Sequence, residues 1–179
     1  MSAFDNIPIE DMKFGKPDSE SGVCKVWYAP LSIVTGTPAL HEMSSGTTVK
    51  ELGTFDGDVT FDTGKGWSEM DIMVETGEPK SEGVGPKGQR RQKSMFDFMV
   101  EGDNASVLGA QRLIEGVPMI YLVKHKGGDL FLVGDMCNPA YATASNFTGG
   151  KGHEDTTGCT FTVEATRKLG VYTGVITEV

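Results

Sequence analysis

A chain of 179 residues is most simply one domain, and 25 acidic against 16 basic side chains, a formal charge of −9, disfavour ordinary binding along a phosphate backbone. Hydrophobic residues make up 38%, and the 24 glycines bring the apolar share to the globular norm of roughly half, which excludes disorder of the whole chain. No run approaches the roughly 18 to 20 apolar residues of a membrane span, and MSAFDNIPIEDMKFG has no basic-then-apolar leader, so a soluble chain without a classical secretion signal is expected.

Residues 1–21 mix apolar singles (Phe4, Ile7, Ile9, Met12, Phe14) with charges, Pro8 and Pro17 and show no period; they read as an N-terminal arm ahead of a single domain over 22–179. GVCKVWYAPL is the first strand. Strict alternation puts Val23 and Trp27 on one face and Cys24, Val26 and Tyr28 on the other, so the strand should be fairly central. Residues 35–58 read as a Gly/Thr/Ser-rich connection, and VTFD at 59–62 as a short strand ended by Thr63-Gly64. WSEMDIMVET at 67–76 alternates, with Met70, Ile72 and Val74 opposite Glu69, Asp71 and Glu75.

The next seventeen residues, 77–93, are rich in Gly, Pro and basic side chains and read as a long inter-strand loop. SMFDFMVEG from 94 is a strand with Phe96, Phe98 and Val100 on one face and Met95, Asp97, Met99 and Glu101 on the other. Asn104 is a good N-cap for a helix over ASVLGAQRLIE, with Val107, Ala110 and Ile114 on one face and Gly116 placed to close it in a left-handed conformation. GVPMIYLVKHKGGDLFLVGD is a hairpin turning at Gly127-Gly128. Residues 134–158 read as a polar connection. CTFTVEATRK from 159 puts Phe161, Val163 and Ala165 inward and Thr160, Thr162, Glu164 and Thr166 outward, and VYTGVITEV ends the domain as a strand. The fold expected is mainly β, a sandwich or barrel with one flanking helix.

Chemical motifs are sparse. GKGWS and GGKGH lack the upstream Gly and the hydroxyl of a phosphate-binding loop. His41, His125 and His153 form no HExxH pair, and zinc would need the fold to gather them with Asp135, Cys137 or Glu154. There is no G-x-S-x-G elbow, and the odd set Cys24, Cys137 and Cys159 gives no disulfide framework; these read as free, mostly buried thiols. The sequons at Asn104 and Asn146 read as chance matches without a secretory signal. The expectation is a non-enzyme with no metal or cofactor.

Two charge patterns stand out. Lys87, Arg90, Arg91 and Lys93 are the one basic concentration in an acidic chain, and read either as a solvated loop or as a docking loop that meets an acidic surface of another copy. Glu69, Asp71, Glu75, Asp97, Glu101 and Glu164 occupy the polar faces of three expected strands. If those strands joined a continuous inner barrel, the carboxylates would line a lumen that repels phosphates.

The order of an aromatic alternating strand (SMFDFMV), a short helix (ASVLGAQRLIE), a hairpin (GVPMIYLVKHKGGDLFLVGD), a Gly-rich stretch and a final pair led by GCTFTVEATRKLGVYTG resembles the tail tube proteins of tailed bacteriophages over about residues 66–176. The resemblance implies a β-sandwich whose copies close into hexameric rings, rings that stack into a hollow virion tail assembled in the host bacterial cytoplasm, and DNA that passes without specific binding. It implies tape-measure and other tail proteins as partners and no membrane. Phe4, Ile7 and Phe14 in the arm, and the loop at 77–93, would then reach neighbouring subunits or the next ring. Residues 35–58 do not fit the pattern, which leaves room for a tail terminator, a connector or a contractile-injection tube. A rival of another class is a virion decoration or adhesion module that uses Tyr141, Phe147 and His153 as a ligand surface.

Overall fold

A computed structural model describes residues 21–43 and 48–179; the arm residues Phe4, Ile7 and Phe14 lie outside them. In chain order the elements are β1 (Val23–Pro30), β2 (Val34–Gly36), β3 (Ala39–Leu40), a one-turn α1 (Val49–Leu52), β4 (Thr54–Asp56), β5 (Thr60–Phe61), β6 (Ser68–Met70), β7 (Glu78–Val84), β8 (Arg91–Glu101), α2 (Ala105–Gly116), β9 (Met119–His125), β10 (Leu130–Val133), β11 (Tyr141–Thr148), β12 (Gly158–Ala165) and β13 (Gly170–Tyr172). Seven strands form one sheet in the order β3-β4-β13-β10-β9-β1-β6, four form a second in the order β11-β12-β8-β7, and β2 pairs with β5. The fold is the expected mainly β sandwich with a flanking helix.

The seven-stranded sheet is covered on both faces, which explains its sequence. Met119 to Val123 of β9 form an unbroken buried run: Met119, Tyr121 and Val123 face one core, and Ile120 and Leu122 face the other. The first core lies between this sheet and the four-stranded sheet with α2. Phe98 stacks there on Phe96 and Phe161 at ring-centre distances of 4.8 and 5.1 Å. The second core gathers Trp27, Phe55, Trp67, Leu132 and Tyr172 beneath the β2–β5 pair and the segment after β13. The Tyr172 hydroxyl accepts from Val59 N at 3.0 Å and donates to Val175 O at 3.1 Å, so this aromatic brings its own polar closure.

Alternation in β8 and β12 is as expected, and Asn104 caps α2 by accepting from the amides of Ser106 and Val107. Gly158 of β12 is obligatory for a close approach, since a Cβ there would run into the carbonyl of Val100.

Other expectations are corrected. In β1 the register slips between Val23 and Lys25, so a bulge moves Val23 to the face of Val26 while Trp27 faces the second core. The described part of 35–58 contains β3, α1 and β4, and β4 joins the large sheet parallel to β13. The strand expected over 67–76 pairs only at Ser68–Met70; beyond it Val74 is 78% exposed and Glu75 takes φ +63°. Residues 77–93 are an ordered ribbon, not an irregular loop, and 134–158 holds the edge strand β11. Gly116 stays within α2, which ends in extended backbone at Val117. The final strand stops at Tyr172. Cys24 and Cys137 are exposed, and Cys159 alone of the three is buried.

Candidate assembly surfaces

β7 and β8 pair from Glu78 opposite Asp97 to Val84 opposite Arg91, whereas β12 follows β8 only as far as Ser94. The outer part of the ribbon is therefore two strands wide, and every residue from 81 to 92 is exposed. Gly85 and Gly88 take positive φ in the turn, and Gln89 N donates to Pro86 O at 3.0 Å, so the tip is tightly wound.

The four basic residues singled out from the sequence divide into two kinds. Lys93 is held within the sheet, 3.2 Å from Glu82 and 3.4 Å from Glu164, and these hydrogen bonds raise its pKa above the usual lysine value. It is therefore not a free docking charge. Lys80, overlooked in the sequence because Asp97 lies across the ladder on β8, does the same with Asp97 at 2.7 Å and with Glu78 of its own strand at 2.9 Å. Arg90 donates to Gly83 O at 3.1 Å and braces the turn. The side chains of Lys87 and Arg91 have no ionic or hydrogen-bond partner among the described residues, and they lie at the far end of the ribbon.

The six carboxylates do not share one surface. Asp97, Glu101 and Glu164 lie on the outer face of the four-stranded sheet, while Glu69 lies on β6 of the other sheet, paired with Lys25 at 2.9 Å. Asp71 and Glu75 are off-strand. The irregularity of 71–77 removes them from any common face, since alternation holds only while the chain stays in a ladder.

Glu69 and Asp71 instead line a crevice of about 230 Å³ between α2 and the β1–β6 edge, walled by Tyr28, Met70, Val100 and Leu113. Leu113 is 41% exposed there. No local sequence signal marks this feature, because its walls come from four separate elements.

The segment after β13 is pinned back onto β1 and Trp67. Trp67 N donates to Thr177 O at 2.8 Å, and Glu178 accepts from the Trp27 indole at 2.7 Å with Lys25 Nζ at 3.5 Å. The indole bond first, and then the Lys25 charge, hold Glu178 below its ordinary value of 4.5. Its contribution to stability is therefore full above pH 4.5 and is lost as the pH falls through the lowered folded value. Trp27 and Trp67 are the two tryptophans of the chain, so intrinsic fluorescence should report release of the segment in acid. Glu178→Gln, which keeps an acceptor for the indole, should flatten this transition. An unchanged acid transition in that variant would assign it to another carboxylate.

No group of three or more His, Cys, Asp or Glu among the described residues is gathered as for a metal. His41 lies 4.0 Å from Asp56, and His125 Nε2 accepts from the Gly22 amide at 3.2 Å. Burial pushes the Cys159 thiol up, away from the thiolate a nucleophile would need. Tyr141 lies opposite Glu164 and Phe147 opposite Cys159, on outer and inner faces of β11 respectively, because a bulge at Thr143 changes the parity between them. The two aromatics therefore do not form one ligand surface. No described helix is long and apolar enough to cross a membrane. In scans against family models, curated proteins and solved structures, the chain matches nothing.

Proposed function

We propose that this chain is a structural subunit of a bacteriophage tail tube, which closes into hexameric rings that stack around a channel for DNA. The observation that carries the reading is the outer half of the β7–β8 ribbon, residues 81–92, an ordered arm that adds nothing to either core and carries Lys87 and Arg91, whose side chains have no partner among the described residues, in a chain of net charge −9. Ordering exposed backbone costs conformational entropy, and contact with another molecule is what offsets it. The resemblance of residues 66–176 to tail tube proteins supplies the identity of that other molecule, another copy of the chain.

Within this reading, the outer face of the four-stranded sheet is the better lumen candidate. Its outer side chains Asp97, Glu101, Glu164, Glu78 and Glu82 outnumber the two cations that bridge them, Lys80 and Lys93, so the face stays net negative, and the sheet ends in two edges, β11 and β7, that neighbours in a ring could meet. Carboxylates on such a wall would repel phosphates and let DNA slide. No catalytic step, metal or cofactor is required, and tape-measure and other tail proteins would be further partners in the virion.

Electron micrographs of the concentrated protein test the proposal. Rings or tubes with a central channel are the expected result; discrete monomers at all concentrations and salt conditions would overturn it.

A further inference from the structure

Resting on that self-assembly reading, we infer that the crevice between α2 and β6 is the seat for the β7–β8 tip of a second copy. The two surfaces match in chemistry. At the tip Val84, 40% exposed, and Pro86 offer small aliphatic groups, and Lys87 and Arg91 flank them without partners among the described residues. In the crevice, apolar walls from Tyr28, Met70 and Leu113 stand beside Asp71, which is exposed and has no ion-pair partner among the described residues, while the Glu69 carboxylate is taken up by Lys25 at 2.9 Å. Its volume of about 230 Å³ is roughly eight waters' share of liquid volume, which suits one or two aliphatic side chains.

Geometry makes the contact intermolecular. β7 starts seven residues after Asp71, and its own seven residues, at ~3.3 Å each, carry the tip roughly 23 Å farther on in a paired ribbon that cannot fold back. Because tip and crevice are different surfaces, a one-way contact is head-to-tail and builds rings or open stacks, whereas a reciprocal exchange would close a two-fold dimer. Burying the exposed side of Leu113 supplies affinity, and the opposite charges set register.

The test is a disulfide between copies, in a Cys24→Ser, Cys137→Ser background that removes both exposed native thiols. A Pro86→Cys chain is mixed with a Leu113→Cys chain, oxidised and run on a non-reducing gel; Val84→Cys with Met70→Cys is the second pair, used if either variant loses its circular dichroism. A dimer linking tip to crevice is expected. Lys87→Glu with Arg91→Glu should lower its yield by about tenfold, and Asp71→Lys in the crevice chain should restore part of it. Rings or tubes without this dimer, or with Pro86→Cys linking instead to Thr160→Cys on the outer face of β12, would overturn the crevice assignment and leave self-assembly standing. A tip-to-crevice dimer without rings or tubes would support the contact and overturn the tube. Neither dimer nor assembly would overturn both.

Discussion

Replacing Arg167 by alanine is expected to lower the unfolding free energy by about 3–5 kcal/mol, the cost of breaking a buried charge pair from one side. The Arg167 side chain is 11% exposed; its Nε lies 3.1 Å from an Asp135 oxygen that is itself 16% exposed at the side chain. One terminal nitrogen donates to Gly134 O at 3.3 Å, the other to Pro38 O, and the guanidinium lies over the Phe55 ring at 4.3 Å. Burial draws its pKa below the ordinary arginine value and the Asp135 charge opposes that, so the cation is retained. One side chain thus ties the β10–β11 turn, the entry to β3 and the β12–β13 link. Urea unfolding provides the measurement. Arg167→Lys should fall between wild type and alanine, since an ammonium reaches fewer of these acceptors. A loss under about 1 kcal/mol for alanine would mean that water replaces the guanidinium and that the clamp is dispensable.

Trimming the ribbon should have the opposite signature, with little effect on folding and a complete effect on assembly. Glu82 and Lys93 are directly opposed in the ladder, so replacing residues 83–92 by Asn-Gly would close a two-residue hairpin without disturbing register. The removed residues are all exposed, and the Lys93 ion pairs with Glu82 and Glu164 remain. The unfolding midpoint should correspond to a change within about 1 kcal/mol, while sedimentation and micrographs should show monomers where the full chain forms rings or tubes. Tubes of normal length from the trimmed chain would remove the ribbon from the interface.

What the sequence reveals follows from where apolar burial is regular. β8 from Ser94 onward, β9 and β12 have buried faces, so alternation or an unbroken apolar run announces them, and the single capping side chain of Asn104 announces α2. β7 is invisible because neither face of its outer half is covered, leaving Gly, Pro and charge where a strand pattern would be. β11 is hidden for a related reason: it is an edge, and its bulge breaks the alternation that remains. β4 is three residues long and is fixed by β13, more than a hundred positions away, a pairing no local window contains. Charge was legible as composition but not as chemistry. Only the cross-strand register shows that Lys93 is neutralised in place, while among the described residues Lys87 and Arg91 are not.

The placement of the second core has a consequence for biosynthesis. Its floor is formed by Trp27, Ile120 and Leu122, with Tyr172 from the last strand of the same sheet, and part of its cover, Ile176, comes from the far end of the domain. At a synthesis rate of ~5–20 residues per second, the roughly 54 residues between Leu122 and Ile176 take about 3–11 s to appear. Throughout that interval the sheet face lacks this part of its lid, and closure waits on contacts of long sequence separation, which form slowly. The nascent chain therefore presents a sticky surface to chaperones and to other nascent copies well before its ribbon can find a correct partner. Its yield should depend on how crowded the translating ribosomes are, not on the stability of the finished sandwich.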